Sequence, residues 1–170
     1  MIQEAEVDIS IRDLPELRTA AFAHKGPYYE IGKTFGMMFH WAAANGLLQA
    51  PPANADAKNG IAIYYDNPMV TAPEELRSDA CVVVPADFEI TGSGVRELFI
   101  APGSYAETTF TGPYSELGEA WQDFMSHGLP QSSHQPDYDR PCLEIYLDDC
   151  NVVPAEQLRT QLLVPVKEAS

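Results

Sequence analysis

The sequence predicts an α+β fold made of two copies of a strand-helix-strand-strand unit. A strand that contains Tyr64 returns later in the chain as a similar strand that contains Tyr146. The tripeptide Gly-Pro-Tyr at 26–28 also returns at 112–114, and each copy precedes a stretch with helical periodicity. We therefore expect a curved antiparallel sheet of about eight strands, with two long helices on one face and pseudo-two-fold symmetry.

The composition is that of a strongly acidic chain that can form a hydrophobic core. Its 170 residues are 45% hydrophobic, and 10 Lys and Arg stand against 25 Asp and Glu, a formal charge of −15. Phosphate backbones repel such a surface, so we expect no direct binding to nucleic acid. No signal peptide or membrane-spanning apolar run is visible, and the three cysteines show no motif spacing, which is typical of a cytoplasmic protein.

The first copy is predicted to span residues 1–86. Four strands are predicted, at 7–11, 18–24, 61–67 and 80–84, and the first shows apolar residues that alternate with polar ones. The long helix begins after Pro27 and is predicted to end at Gly46. Its buried stripe is formed by Ile31, Phe35, Met38, Phe39 and Ala42. A loop at 50–59 and a helical turn from Pro73 complete the copy.

A linker at 87–94 leads into the second copy, residues 95–170, and both copies together form one domain. The predicted strands lie at 97–100, 104–110, 142–149 and 162–166, with a short helix at 154–159. The long helix is predicted to end at Gly128, about one helical turn earlier than in the first copy. Its stripe is formed by Leu117, Ala120, Trp121 and Phe124. The sheet face without helices would then hold Tyr64 and Tyr146.

Glu144 interrupts an otherwise apolar strand and is the centre of the predicted site. Side chains alternate in a strand, so Cys142, Glu144 and Tyr146 share one face. The first copy has Ala62 at the equivalent position, so only one half carries the acid. We hypothesise a ligand site formed by Glu144, Tyr146, Tyr64, Cys142 and Ala62. The alternative is a glutamate that faces water, because charged side chains are seldom fully buried unless they are paired.

An acid between tyrosines favours a cationic or polar aromatic ligand. Removing a carboxylate from water costs several kcal/mol, and a ligand cation can offset this through charge pairing and contact with tyrosine rings. We expect such a small molecule as the partner, without a cofactor or a membrane surface. His24, His40, His127 and His134 share no metal-ligand spacing with one another or with the cysteines, so we expect no metal site.

Several longer motifs are similar to a known family. The stretches 64–68, 73–82, 112–114 and 143–147 resemble the GyrI-like family, which includes the DNA gyrase inhibitor and the effector-binding domains of AraC-type and multidrug-responsive regulators. The resemblance implies a duplicated fold with a ligand pocket between the halves, which the acid matching Glu144 faces. The duplicated unit uses all 170 residues, so we expect a stand-alone effector-binding domain without a DNA-binding segment.

The resemblance leaves two other functions open. Some similar members hydrolyse cyclopropane-bearing genotoxins with an acid and a tryptophan, and a hydrolase would use Glu144 to orient or deprotonate a water. This chain has glycine at 128 where many relatives have that tryptophan, which argues against hydrolysis. The second alternative is a protein-binding inhibitor of DNA gyrase. We assign Trp121 to core packing and Trp41 to the rim or surface.

Overall fold

The structure is a computed structural model that describes residues 8–48 and 59–168. The predicted loop at 50–59, except for Asn59, and the start of the first strand at Val7 lie outside the described residues. Nine strands are present in this part of the chain: β1 Ser10–Leu14, β2 Leu17–Lys25, β3 Ile61–Tyr64, β4 Arg77–Val83, β5 Val95–Ile100, β6 Gly103–Thr111, β7 His134–Pro136, β8 Cys142–Tyr146 and β9 Arg159–Glu168. The helices are α1 Gly32–Ala44, α2 Leu117–Asp123 and α3 Leu129–Gln131.

All strand pairs are antiparallel, and the predicted fold class is confirmed. The sheet order is β1-β6-β9-β8-β3-β4-β2-β5, with β7 pairing with β9. The order is the same when read from either end with the copies exchanged, so a pseudo-two-fold axis passes between β3 and β8. At this axis the register places Ala62 directly opposite Glu144. The equivalent positions of the two copies are therefore neighbours.

Each copy gives its first strand to the other copy. β1 belongs to the first half but pairs with β6, and β5 belongs to the second half but pairs with β2. The connections are very short, because β1 ends at Leu14 and β2 begins at Leu17. The edges of the sheet must therefore approach each other, which gives the sheet its strong curvature.

One face of the sheet is covered by the helices and the other is covered by its own curvature. α1 packs on a cluster that includes Ala20, Ala80 and Tyr146, and the second helix packs on Ala106 and Leu162. On the opposite face, buried residues from eight strands form one cluster without any helix. Tyr64 and Tyr146 lie on the helical face, so their predicted location on the uncovered face is wrong. The curvature of the sheet instead buries the side chains on the face without helices, among them Ile61, Ile63, Leu143 and Ile145.

The two copies repeat the same local bonds. Asp66 accepts hydrogen bonds from the backbone N–H, Nε and Nη2 of Arg77 at 2.8, 3.0 and 2.9 Å, and Asp148 accepts the same three from Arg159 at the same distances. These bonds brace the short helical turn that follows β3 and β8. Such matching turn chemistry is what an internal duplication predicts.

The second long helix does not end at Gly128, contrary to the sequence-based expectation. Gly46 has φ of 73° and ends the first helix, but Gly128 is helical, with φ of −69° and ψ of −54°. Residues 124–128 form a single π turn that joins α2 to α3, and the helical run continues to Gln131. Gly128 is buried within this helical run. The second copy is instead shorter in the connection after the helix, from Gln131 to Cys142, than the first copy is from Ala44 to Ile61.

Trp41 fastens the linker between the copies to the first helix. Its indole N–H donates a hydrogen bond to the carbonyl oxygen of Thr91 at 2.9 Å, and its ring packs edge-on against Phe22 and Phe88. The expected rim or surface role is therefore incomplete, because the side chain is half-buried and holds two segments together. None of the helices in the described part of the chain has the length and apolar character to cross a membrane.

Candidate functional site

Glu144 lies in the middle of β8 with its side chain on the helical face, between α1 and the second helix. It is only 3% exposed, so the alternative of a water-facing glutamate is wrong. Its Oε1 accepts hydrogen bonds from the hydroxyls of Tyr146 and Tyr64 at 2.6 and 2.7 Å. Its Oε2 accepts a hydrogen bond from the indole N–H of Trp121 at 2.6 Å. Both oxygens are thus held by the protein itself.

The three donors and the burial act on the charge of Glu144 in opposite directions. Burial raises the pKa of Glu144, because removal from water disfavours the carboxylate, while the bonds from Tyr146, Tyr64 and Trp121 lower it in part. Burial also raises the pKa of Tyr64 and Tyr146 well above 10, so both tyrosines stay neutral and can donate. The partners of the carboxylate are therefore dipoles and not positive charges.

Aromatic rings form a shell around this carboxylate. Tyr28 contacts Tyr64 with ring centroids 4.5 Å apart, and its counterpart Tyr114 contacts Tyr146 at 5.5 Å. Phe35 in α1 meets Tyr146 edge-on at 5.3 Å. Burial raises the pKa of Tyr114 to about 12. The cluster of one acid and these rings, Glu144, Tyr64, Tyr146, Trp121, Tyr28 and Tyr114, is called the Glu144 cluster below.

The two other predicted site residues lie in the same region but have passive roles. Ala62 is fully buried opposite Glu144, and its small side chain leaves room for the carboxylate and its donors. Cys142 faces Tyr64 across the strand pair and packs against the second helix. Burial raises the pKa of the Cys142 thiol to about 11, so it is a neutral packing residue and not a nucleophile at neutral pH.

Trp121 donates a hydrogen bond to Glu144, although the sequence analysis assigned it only to core packing. It occupies the helical stripe and contacts Phe124, but its indole N–H points to Glu144. The signal was present in the duplication, because the equivalent stripe position of the first copy holds Phe35. The first copy has Phe35 and Ala62 where the second copy has Trp121 and Glu144. The two side chains that are specific to the second copy are joined by one hydrogen bond. A comparison of the side-chain hydrogen-bond donors of the two copies would have identified Trp121.

No cluster of metal ligands is present in residues 8–48 and 59–168, where no three His, Cys, Asp or Glu side chains come together. His24 has a structural role, because its ring nitrogens lie 3.1 Å from the hydroxyl of Thr34 and from the carbonyl oxygen of Pro27. It thereby ties the end of β2 to the start of the first helix. The chemistry that the described residues offer is that of the Glu144 cluster.

Solved structures with the same fold are numerous. The C-terminal domain of EcmrR matches 96% of this chain and 99% of that domain, with a TM-score of 0.73 and 15% identity. A hydrolase from Listeria innocua matches with a TM-score of 0.62 over 95% of this chain and 93% of its own, at 14% identity. SAV2435 bound to tetraphenylphosphonium matches with a TM-score of 0.60 over 94% of each chain, at 12% identity. These similarities establish the fold.

Sequence relatives are closer. A DNA gyrase inhibitor of Pantoea sp. (strain At-9b) is 32% identical over 142 residues, which cover 82% of this chain and 86% of that protein. A protein of the same name from Citrobacter koseri is 32% identical over 146 residues, 84% of this chain and 88% of its own. The model of the GyrI-like small molecule binding domain matches residues 7–167. The chain therefore belongs to the GyrI-like small-molecule-binding family.

Proposed function

We propose that this protein binds organic cations with aromatic surfaces, and that Glu144 is their counter-charge. The observation that carries this proposal is a nearly fully buried carboxylate whose hydrogen-bond donors are all neutral. Holding such a charge away from water costs several kcal/mol, and dipoles repay only part of that cost. A bound cation would offset the remaining cost by pairing with the carboxylate.

The surrounding rings favour the same class of ligand. The negative faces of tyrosine and tryptophan rings attract a cation within about 6 Å, most strongly when water is excluded. Tyr28, Tyr64, Tyr114, Tyr146 and Trp121 supply such faces around one acid. The structural neighbour SAV2435 was solved with bound tetraphenylphosphonium, which supports this class of ligand for the fold. The ligand would lie between the two long helices, close to the pseudo-two-fold axis.

The bonding of Glu144 also favours cations that lack N–H groups. A carboxylate has about four lone-pair sites, and the protein already occupies three of them. A primary ammonium needs acceptors for three N–H groups, which this site does not offer. Phosphonium and quaternary ammonium ions need only charge and ring faces. We therefore expect tetraphenylphosphonium to bind more tightly than a primary amine of similar size.

The test compares Glu144→Gln with the native protein, because this change removes the charge and nearly keeps the shape. Tetraphenylphosphonium should lose on the order of 1–3 kcal/mol of binding free energy. The neutral triphenylphosphine oxide should lose little. Isothermal titration calorimetry gives both affinities.

Glu119→Gln is the matched control, because Glu119 is exposed on α2 and its loss changes the net charge equally. We expect native affinity in this variant. Equal tetraphenylphosphonium affinities in the native protein and Glu144→Gln would contradict the proposal.

Hydrolysis is a second candidate, and the contact between Trp121 and Glu144 favours it. The glycine at 128 argued against hydrolysis, but a tryptophan reaches the acid from another turn of the same helix. Burial raises the pKa of the Glu144 carboxyl, which makes its carboxylate a stronger base toward a water molecule. Mass spectrometry of a cyclopropane-bearing electrophile after incubation tests this, because a hydrolase adds one water and Glu144→Gln would stop the addition.

A protein partner is a third candidate, supported by the name of the curated relatives, DNA gyrase inhibitor. A supercoiling assay with purified gyrase tests it directly. Inhibition that persists in Glu144→Gln would assign that activity to a surface separate from the Glu144 cluster.

A further inference from the structure

The two tyrosines that cover the Glu144 cluster are held very differently, although the duplication makes them equivalent. Tyr28 and Tyr114 both follow Gly-Pro and begin a helical turn. The hydroxyl of Tyr28 lies 2.9 and 3.1 Å from the carbonyl oxygens of Asp66 and Arg77, and it accepts a hydrogen bond from the N–H of Asp66 at 3.0 Å. These backbone contacts fix Tyr28 in place.

The hydroxyl of Tyr114 has no hydrogen-bond partner among residues 8–48 and 59–168, and its side chain is 37% exposed. Its ring contact with Tyr146 has a centroid distance of 5.5 Å, longer than the 4.5 Å between Tyr28 and Tyr64. On rotating away, Tyr114 would therefore lose this ring contact but no hydrogen bond. Tyr28 would lose backbone hydrogen bonds as well.

Each of these tyrosines packs against a tyrosine that donates to the same carboxylate oxygen. Tyr28 contacts Tyr64 and Tyr114 contacts Tyr146, and both inner tyrosines donate to Oε1 of Glu144. Because Glu144 is 3% exposed, a ligand reaches it only after a side chain near the carboxylate moves. Of the two outer tyrosines, Tyr28 is held by hydrogen bonds to the backbone and Tyr114 is not.

We propose that Tyr114 is the movable wall of the Glu144 cluster and that organic cations enter beneath its ring. This inference rests on the proposed function for the identity of the ligand, but not for the motion itself. Tyr114 would close over the bound cation and contribute a ring face to it. Tyr28 would serve as the fixed wall on the opposite side of the pseudo-two-fold axis.

The motion can be measured without any ligand. In protein labelled with ¹³C at the tyrosine rings, relaxation dispersion should show microsecond-to-millisecond exchange for Tyr114 and for the adjoining Tyr146. Tyr28 and Tyr64 should show none. A Tyr114 ring as rigid as that of Tyr28 would overturn the proposal, whether or not the protein binds cations.

Ligand kinetics then test the role of the wall. In stopped-flow mixing with tetraphenylphosphonium, Tyr114→Ala should speed association by a factor of about two to twelve, the population change expected from losing one aromatic contact. Tyr138→Ala should associate at the native rate, because Tyr138 is 86% exposed and lies outside the Glu144 cluster. An unchanged association rate in Tyr114→Ala would contradict entry beneath this ring. Absence of binding by native protein would instead contradict the proposed function and leave the ring measurement to decide the motion.

The difference between the hydroxyl groups of Tyr28 and Tyr114 can be tested separately. Tyr28→Phe should lower the midpoint of thermal unfolding, because it removes the bonds to Asp66 and Arg77. Tyr114→Phe should leave the midpoint unchanged. Equal shifts in both variants would show that Tyr114 is held as firmly as Tyr28.

Discussion

At the scale of a single residue, the protonation of Glu144 makes the stability of the protein and its expected binding of cations depend on pH. Burial raises its pKa above the ordinary value of 4.5. The folded protein therefore holds this proton to a higher pH than the unfolded chain does. Between the two pKa values the folded state binds more protons, so stability falls as the pH rises through this window. Binding of a cation has the opposite dependence, because it needs the carboxylate.

We predict opposite pH slopes for stability and for cation binding. As the pH rises from 4.5 through the raised pKa of Glu144, the free energy of unfolding without ligand should decrease and tetraphenylphosphonium affinity should increase. In Glu144→Gln the slope of the affinity should vanish, and the contribution of Glu144 to the slope of stability should be absent. Urea unfolding and calorimetry across this pH range measure them.

The comparison with Glu144→Gln is needed because other acids contribute in the opposite direction. The hydrogen bonds from Arg77 lower the pKa of Asp66, so its contribution to stability is lost as the pH falls. The variant keeps that background and removes Glu144 alone. If native protein and variant showed the same pH slope of stability, the burial of a titrating Glu144 would be refuted.

The sequence predicted part of the Glu144 cluster, because strand alternation determines which side chains share a face. Alternation assigns Glu144 and Tyr146 to one face of their strand, and the duplication makes Tyr64 equivalent to Tyr146. It did not reveal which of the two sheet faces the helices cover, since alternation is the same for both. The helical pattern also assigned Trp121 to the core, because a buried stripe shows burial but not where an N–H group points.

At the scale of elements, ion pairs of Arg18 with Glu97 and of Arg96 with Asp79 join β5 to the opposite copy, and the second pair contains a buried carboxylate. Asp79 on β4 is 1% exposed and accepts hydrogen bonds from the hydroxyl of Tyr65 and from Nη2 of Arg96 on β5, the latter at 2.6 Å. The guanidinium is about half exposed and covers the buried acid from the solvent side. The contact joins a strand of the second half to the sheet of the first half.

Arg96→Ala should destabilise the protein by about 2–3 kcal/mol, because it leaves the buried carboxylate of Asp79 without its counter-ion. The double variant Arg96→Ala/Asp79→Asn should recover part of the loss, since the amide needs no counter-ion. Urea unfolding measures both free energies.

Arg159→Ala is the control for this prediction, because its pair with Asp148 lies at an exposed turn. Such exposed pairs contribute under about 1 kcal/mol. An Arg96→Ala variant no less stable than Arg159→Ala would show that the pair of Arg96 with Asp79 does not anchor β5.

The positions of helices and strands were largely predictable, while their ends and partners were not. The 3.6-residue period located α1 and the buried stripe of the second helix. It could not show that Gly128 stays helical, because a glycine permits both a helix end and close packing. The short strand β7 lies in a segment without alternation, where the sequence predicted no strand. Periodicity also carries no information about which strand pairs with which.

At the scale of the whole molecule, the exchange of β1 and β5 makes the halves depend on each other. We predict that residues 1–86 and 95–170, expressed separately, do not fold, because each would lack a strand that covers its core. Near-ultraviolet circular dichroism should show no ordered aromatic rings in either fragment. Mixed in equal amounts, the two should recover the native spectrum.

A fragment that unfolds cooperatively on its own would contradict this prediction. The duplication, the symmetry and the fold class were accessible from the repeated Gly-Pro-Tyr and tyrosine strands. The exchange was not, because the short connections at 15–16 and 101–102 also suit simple hairpins. Only the register of β1 with β6 and of β5 with β2 distinguishes these topologies.

The register that places Ala62 opposite Glu144 explains why the two copies share one polypeptide. In a homodimer of a single repeat, any residue at this position would face its own copy across the symmetry axis. A glutamate there would set two buried carboxylates side by side, and like charges directly opposite each other destabilise a sheet. Joining the repeats in one chain lets the two positions diverge. Covalent fusion is thus what allows this site to carry one negative charge instead of two or none.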